Sequence, residues 1–125
     1  MTLPLVRLTG SPYAQGEQHG EALREQIRHN LELYFDRFAR ELKLSRAETL
    51  DRARRYAEAI RAQSPAYYEG MRGIAAGSGQ SFDAIAALNV RYELFYDEFA
   101  EQPSPDGCTA FALLPEATAS GHLLL

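Results

Sequence analysis

The sequence predicts an α+β fold, mostly helical, with an edge strand at the N-terminus and a β-hairpin at the C-terminus. Three observations carry this. Apolar residues recur at spacings of three and four through most of residues 13–96, the period of an amphipathic helix. Serines placed to cap helices stand before these stretches, at Ser11, Ser45, Ser64 and Ser81. Short apolar runs at either end, 3–8 and then 109–114 with 122–125, are bounded by Gly, Pro and Ser, as strands are.

Leu3-Pro-Leu-Val-Arg-Leu8 reads as the edge strand, where Pro4 is tolerated. Gly10-Ser-Pro12 closes it and opens a helix, with Ser11 as N-cap and Pro12 at the first helical position. Gly16 and Gly20 fall four apart on one face. Helical glycine costs about 1 kcal/mol relative to alanine, so this pair predicts close packing against another backbone. Leu23, Ile27, Leu31, Tyr34, Phe35, Phe38 and Leu42 continue the pattern, giving one long helix from roughly 13 to 42.

Ser45-Arg-Ala-Glu48 is a capping box, and Leu50, Ala53, Ala57 and Ile60 form the stripe behind it. Ser64-Pro65 starts the next helix, with Tyr67, Tyr68, Met71, Ile74 and Ala75 on its apolar side. Gly77 and Gly79 are expected to end it. Ser81 caps a last helix, with Asp83 against its dipole, and Phe82, Ile85, Leu88, Tyr92 and Phe95 carry it to about Tyr96. Residues 97–107 hold four acids and two prolines, which reads as an exposed loop. Thr109 to Leu114 and His122 to Leu125 then flank a turn region as a hairpin. That hairpin is expected to be the start of a larger sheet, since a hairpin and one edge strand cannot form a stable sheet face alone.

Composition narrows the function classes. A net charge of −4 gives no basic groove for nucleic acid and no attraction to anionic membrane. The single cysteine excludes an internal disulfide and any multi-cysteine metal site. His19, His29 and His122 are far apart with no metal-ligand spacing, so no metal and no cofactor are expected. No signal peptide or spanning segment is visible, which makes a cytoplasmic protein the expectation.

The chemistry concentrates at Asp106-Gly107-Cys108-Thr109. A thiol at Cys108 attacking the Gly107 carbonyl would produce a thioester by an N-to-S acyl shift, and hydrolysis would free the cysteine amine. Glycine before the bond leaves the attack unobstructed. The freed α-amine, with a reference pKa of about 7.7–8.0, could then act as base for its own thiol. The competing reading is a small buried hydrophobe at the start of a strand.

Three motifs occur in a fixed order: Gly10-Ser-Pro-Tyr-Ala-Gln-Gly-Glu-Gln-His-Gly20, then Ala87-Leu-Asn-Val-Arg-Tyr-Glu-Leu94, then Asp106-Gly-Cys-Thr-Ala-Phe111. In these the chain resembles the acyl-coenzyme A:6-aminopenicillanic acid acyltransferase (isopenicillin N acyltransferase) type of N-terminal-nucleophile cysteine amidohydrolases. The resemblance implies the N-terminal part of a four-layer αββα fold made as a self-cleaving precursor. Residues 1–107 would be the helical smaller segment, with the processing loop at about 97–107. Residues 108–125 would begin the larger segment, and the two would stay associated after cleavage. Cys108 carries over as the nucleophile and Gly107 as the residue before the cleaved bond. The implied substrates are small N-acylated amines, peptides or β-lactam-type molecules, with acyl-coenzyme A among the acyl donors.

In the family a Gly-Gln-Asn-Trp-Asp-like motif and the oxyanion-hole and substrate-binding residues come later, past Leu125, so substrate-binding residues are unknown here. A second threonine of some members is Ala110 in this chain. Of the other motif positions, Arg91 is expected to pair with a helix carboxylate, the alternative being to hold the Asp106 side of the processing loop, and Asn89 and Tyr92 to orient or pack their helix. Tyr67 and Tyr68 are expected in the core or in helix packing, with the substrate entrance as the alternative place for helices of this segment, and His19 has no derivable role. The alternative function is a non-catalytic helical interaction module or an inactive remnant of the family.

Overall fold

The computed structural model of the chain describes residues 4–97 and 114–122. Among these residues six helices follow in order: α1 Pro12–Ala22, α2 Arg24–Glu41, α3 Arg46–Gln63, α4 Pro65–Ser78, α5 Phe82–Asn89 and α6 Arg91–Asp97. A 3-10 turn spans Pro115–Ala117. Among the described residues there is no strand, so the α+β expectation, and the sheet sandwich with it, is corrected to an all-helical arrangement.

The physical reason is visible at the N-terminal end. Leu5 and Leu8 are exposed, and the backbone of Thr9 meets a side chain instead of a strand. The Thr9 N–H donates to Gln18 Oε1 (3.1 Å) and Gln18 Nε2 donates to the Thr9 carbonyl (3.0 Å). Gln15 Nε2 adds a bond to the Gly10 carbonyl (2.8 Å). A carboxamide thus supplies the donor and acceptor that a neighbouring strand would have supplied. At the other end the Thr118 hydroxyl faces the carbonyls of Pro115 (3.1 Å) and His122 (2.9 Å), which closes the turn region expected between the two hairpin strands. The remainder of the expected hairpin, 109–113 and 123–125, lies outside the described residues, as does the 107/108 boundary between the two expected segments.

The serine caps form as the sequence predicts. Ser11, Ser45, Ser64 and Ser81 each accept from a backbone amide of the first turn. At Ser45 the box is complete: Glu48 Oε2 accepts from the Ser45 N–H (2.8 Å) and hydroxyl (2.6 Å). The expected 13–42 helix is broken at Leu23 and the expected 82–96 helix at Val90, neither of which is Gly or Pro. Gly79 ends α4 in the left-handed region at φ +71°. Gly77 does not; it is buried inside the helix.

Gly77 serves a different purpose, shared with Gly16, Gly20 and Gly73. These residues face one another across α1 and α4, and the helices touch backbone to backbone. A Cβ on Gly20 would lie 2.5 Å from the Ile74 oxygen and 2.7 Å from the Ser78 nitrogen; one on Gly77 would lie 2.9 Å from the Glu21 nitrogen. The close approach expected from Gly16 and Gly20 is present, and α4 is the partner. Arg24 fastens the same seam from α2, its Nη2 donating to the Gly77 carbonyl (2.9 Å), one of the helix-end acceptors that α4 cannot satisfy itself.

Two apolar clusters fill the remaining interior. Phe38, Leu42, Leu44, Ala53, Ala57, Ala86, Ala87, Val90 and Leu94 join α2, α3, α5 and α6. Ile27, Leu31, Met71, Ala75, Ala84 and Ile85 join α2, α4 and α5. Aromatic pairs reinforce them: Phe38 with Phe95 within the first (centroids 5.2 Å apart), and Tyr68 with Phe82, which pack on both (4.9 Å). Such pairs contribute about 0.5–1.5 kcal/mol beyond their buried area. At the surface Arg54 of α3 reaches Asp83 of α5 (2.5 Å), fixing the start of α5 against its neighbour.

Candidate functional site

The break at Val90 places the second motif at a corner. Asn89 is the last residue of α5 and Arg91 the first of α6. Asn89 is held at both ends of its amide: Oδ1 accepts from the Tyr67 hydroxyl (2.6 Å) and Nδ2 donates to the Ile85 carbonyl (2.9 Å). The first bond ties the corner to the start of α4. Arg91 Nη1 donates to the Leu88 carbonyl (2.8 Å), and its guanidinium lies against Tyr34 (5.6 Å) and Tyr92 (4.8 Å). The ion pair expected for Arg91 with a helix carboxylate is absent among the described residues. Carbonyl capping and aromatic contact have taken its place, both geometries that guanidinium favours.

This corner forms one wall of a groove of about 400 Å³. The opposite wall comes from α1 and α2. His19, from the first motif, and Asn30 and Tyr34 supply the polar lining beside Asn89 and Arg91; Ile27, Leu33, Ile74, Ile85 and Leu88 supply the apolar lining. Two of the three sequence motifs, far apart in the chain, therefore meet in one cavity. The α1–α4 seam brings His19 there, because it fixes the rotation of α1 about its own axis.

A second groove, of about 380 Å³, lies on the other side of Asn89 and is lined by Tyr56, Ile60, Tyr67, Val90 and Glu93 among others. Asn89 separates the two. Tyr92 and Tyr96 are exposed beside Arg37 and Phe95 in a third, smaller recess.

The expected nucleophile Cys108, the expected cleavage residue Gly107 and the acidic loop before them lie outside the described residues. His29 and His122 are exposed, and His19 is half-buried in the groove wall. Among the described residues no His, Cys, Asp and Glu group could hold a metal ion, and no helix is long and apolar enough to cross a membrane. Tyr68 packs on both apolar clusters, in keeping with its expected role, whereas Tyr67 is half-exposed and works through its hydroxyl.

Several residues of the site escape sequence reasoning. Asn30 and Leu33 lie on the outward side of the α2 stripe and read as ordinary surface positions. Gln15 and Gln18, inside the first motif, bond the backbone at Thr9 and Gly10; only their repetition at a three-residue interval could have hinted at a shared partner.

No family model matches the chain. Over 118 residues, 94% of this chain, it is 29% identical to the acyl-coenzyme A:6-aminopenicillanic-acid-acyltransferase 40 kDa form of Emericella nidulans. The matched part is 32% of that protein, so the chain spans about a third of the length of this relative. This is a distant relationship to an acyltransferase, and the matched stretch takes in both motifs that meet in the groove.

Proposed function

We propose, from this distant relationship to an acyltransferase, that the chain is the helical segment and nucleophile of an acyltransferase-like cysteine enzyme that processes itself at Gly107–Cys108. The observation that carries the reading is the order of the three motifs, together with the convergence of the first two on one groove.

In the proposed processing step, Cys108 Sγ attacks the Gly107 carbonyl carbon. The C–S bond forms, the C–N bond breaks, and the departing nitrogen takes up a proton to become the α-amine of Cys108. Water then cleaves the thioester, releasing the Gly107 carboxylate and restoring the thiol. In turnover the α-amine takes the thiol proton, and the thiolate displaces the leaving group of an acyl donor, which leaves with that proton. The resulting acyl-thioester passes its acyl group to an amine, which makes the reaction a transfer, or to water, which makes it a hydrolysis. An amine with a pKa near 7.7–8.0 is matched to this task near neutrality. Acyl donors of the amide or acyl-coenzyme A type, and β-lactam or small amine acceptors, are the proposed substrate classes.

Intact-mass spectrometry tests the proposal. The chain should separate between Gly107 and Cys108, and Cys108→Ala should abolish the separation. A chain that remains whole while fully active in acyl transfer would overturn it, and one that remains whole and inactive would favour a catalysis-free helical module.

A further inference from the structure

We infer that the groove between α1, α2 and the α5–α6 corner is a binding site for a small amphiphilic carboxylate, such as a medium-chain acid, with Arg91 as its anion anchor. The inference concerns non-covalent recognition by the helical segment and stands apart from any chemistry at Cys108.

Arg91 differs in its surroundings from most arginines of the helices, and unlike Arg24, on the Gly77 carbonyl, and Arg46, on the Phe35 ring, it lines this groove. Arg28, Arg37, Arg40, Arg54, Arg55, Arg61 and Arg72 each lie against a carboxylate. Arg91 lines a cavity, is half-buried, and has no carboxylate partner among the described residues. Among the described residues one of its five N–H donors is used, by the Leu88 carbonyl. That bond and the two tyrosine rings restrict the guanidinium before any ligand arrives, so little side-chain freedom is left to lose on binding. A planar fork of donors with a fixed orientation is the group that recognises carboxylates with two parallel bonds.

The rest of the groove specifies what the carboxylate is attached to. Ile27, Leu33 and Leu88 give it an apolar wall, and about 400 Å³ lies at the small end of the range for ligand pockets. A single guanidinium with neutral amides from Asn30 and Asn89 balances one negative charge. A phosphate monoester, at about −1.5 to −2 near neutrality, would call for a second permanent cation such as Lys or Arg, and the described lining, which adds only His19, has none. The chain's net charge of −4 makes the local selection for an anion a property of this groove and not of the overall field.

Titration of the full chain carrying Cys108→Ala, which removes the proposed nucleophile, with sodium octanoate tests the site, read by amide chemical shifts in NMR. Saturable one-to-one binding is expected, with the shifts centred on residues of the groove. Octanol, octylamine and octyl phosphate should each bind about tenfold or more weakly, given the strength of hydrogen bonds to charged groups. Arg91→Ala should weaken octanoate binding about tenfold or more and Arg91→Lys should restore part of it. Leu33→Glu, a change at an exposed position, should weaken it similarly by presenting a competing carboxylate, and it decides the matter if Arg91→Ala fails to fold. Absence of saturable binding overturns the proposal. So does octanol or octyl phosphate binding as tightly as octanoate, or octanoate binding unchanged in the folded variants. Because the thiol is absent throughout, these results are independent of whether Gly107–Cys108 is cleaved.

Discussion

Replacing Gly73 with alanine puts a single carbon into the α1–α4 seam, and its cost follows from the surrounding atoms. The new Cβ would lie 2.8 Å from the Glu17 nitrogen and 3.0 Å from the Gly16 Cα, and closer still to the Tyr13 carbonyl oxygen. All three are backbone, so no rotamer change relieves the clash. Ordinary contact begins at 3.4 Å, so α1 must retreat along its length. Opening a packed interface by roughly 0.5–1 Å forfeits a quarter to a half of the dispersion energy of each contact, and overpacking costs about 1–3 kcal/mol in practice. Better helix propensity returns about 1 kcal/mol. The net expectation is a loss of up to about 2 kcal/mol. Gly70→Ala, one turn earlier, provides the contrast: its Cβ meets only the Pro12 oxygen, at 3.7 Å. There the substitution should stabilise by about 0.4–1 kcal/mol. Urea unfolding followed by far-ultraviolet circular dichroism reads both. The midpoint should fall for Gly73→Ala by roughly 1 M and rise for Gly70→Ala, with unchanged slopes. A midpoint for Gly73→Ala at or above that of Gly70→Ala would refute the reasoning.

Three other perturbations test separate elements. Hydrogen bonds from the Ser45 hydroxyl and then the Ser45 N–H hold the Glu48 carboxyl below its usual range, so its contribution is present above the unfolded carboxyl pKa and is lost as pH falls through the folded one. The drop in urea midpoint between about pH 7 and about pH 3 should therefore be smaller in Glu48→Gln than in the parent; equal drops would contradict this. Tyr67→Phe removes the 2.6 Å bond to Asn89 and should cost about 0.5–1.5 kcal/mol, seen as a lower thermal midpoint with the helix content retained; an unchanged midpoint would mean the bond adds nothing. Lys43 sits at φ +55° between α2 and α3, a conformation that costs an L-residue about 1–2 kcal/mol, so Lys43→Gly should raise the thermal midpoint, and a decrease would show that its bond from Nζ to the Arg40 carbonyl outweighs the strain.

Helix starts were legible because they are local. A serine, a proline and a glutamate three residues on are enough to satisfy the first amides of a helix, and no distant residue has to cooperate. Helix breaks were not legible, because nothing in Leu23 or Val90 forbids helix. Those corners follow from packing: Val90 is buried in the same cluster as Phe38 and Leu94. Gly77 was misread for a related reason. A glycine that ends a helix and one that admits another backbone look the same in sequence, and only the partner distinguishes them. The N-terminal strand failed because a short apolar run carries no information on whether a sheet is there to receive it. In the site, motif membership pointed to His19, Asn89 and Arg91, but their meeting depends on the α1–α4 seam. Asn30 and Leu33 carried no signal at all.

The seam also bears on how this sequence can change over generations. Every replacement of glycine adds a Cβ, so Gly16, Gly20, Gly73 and Gly77 have no harmless neighbour among the amino acids, and no second substitution elsewhere can remove a clash with backbone. Gly70 and Gly79 sit in the same helix region without that restriction from their neighbours. Variation in the seam is therefore closed one residue at a time, whereas the groove it positions is lined by ordinary side chains that remain open to exchange. A lineage could alter what the groove accepts many times while the two helices beneath it stay as they are.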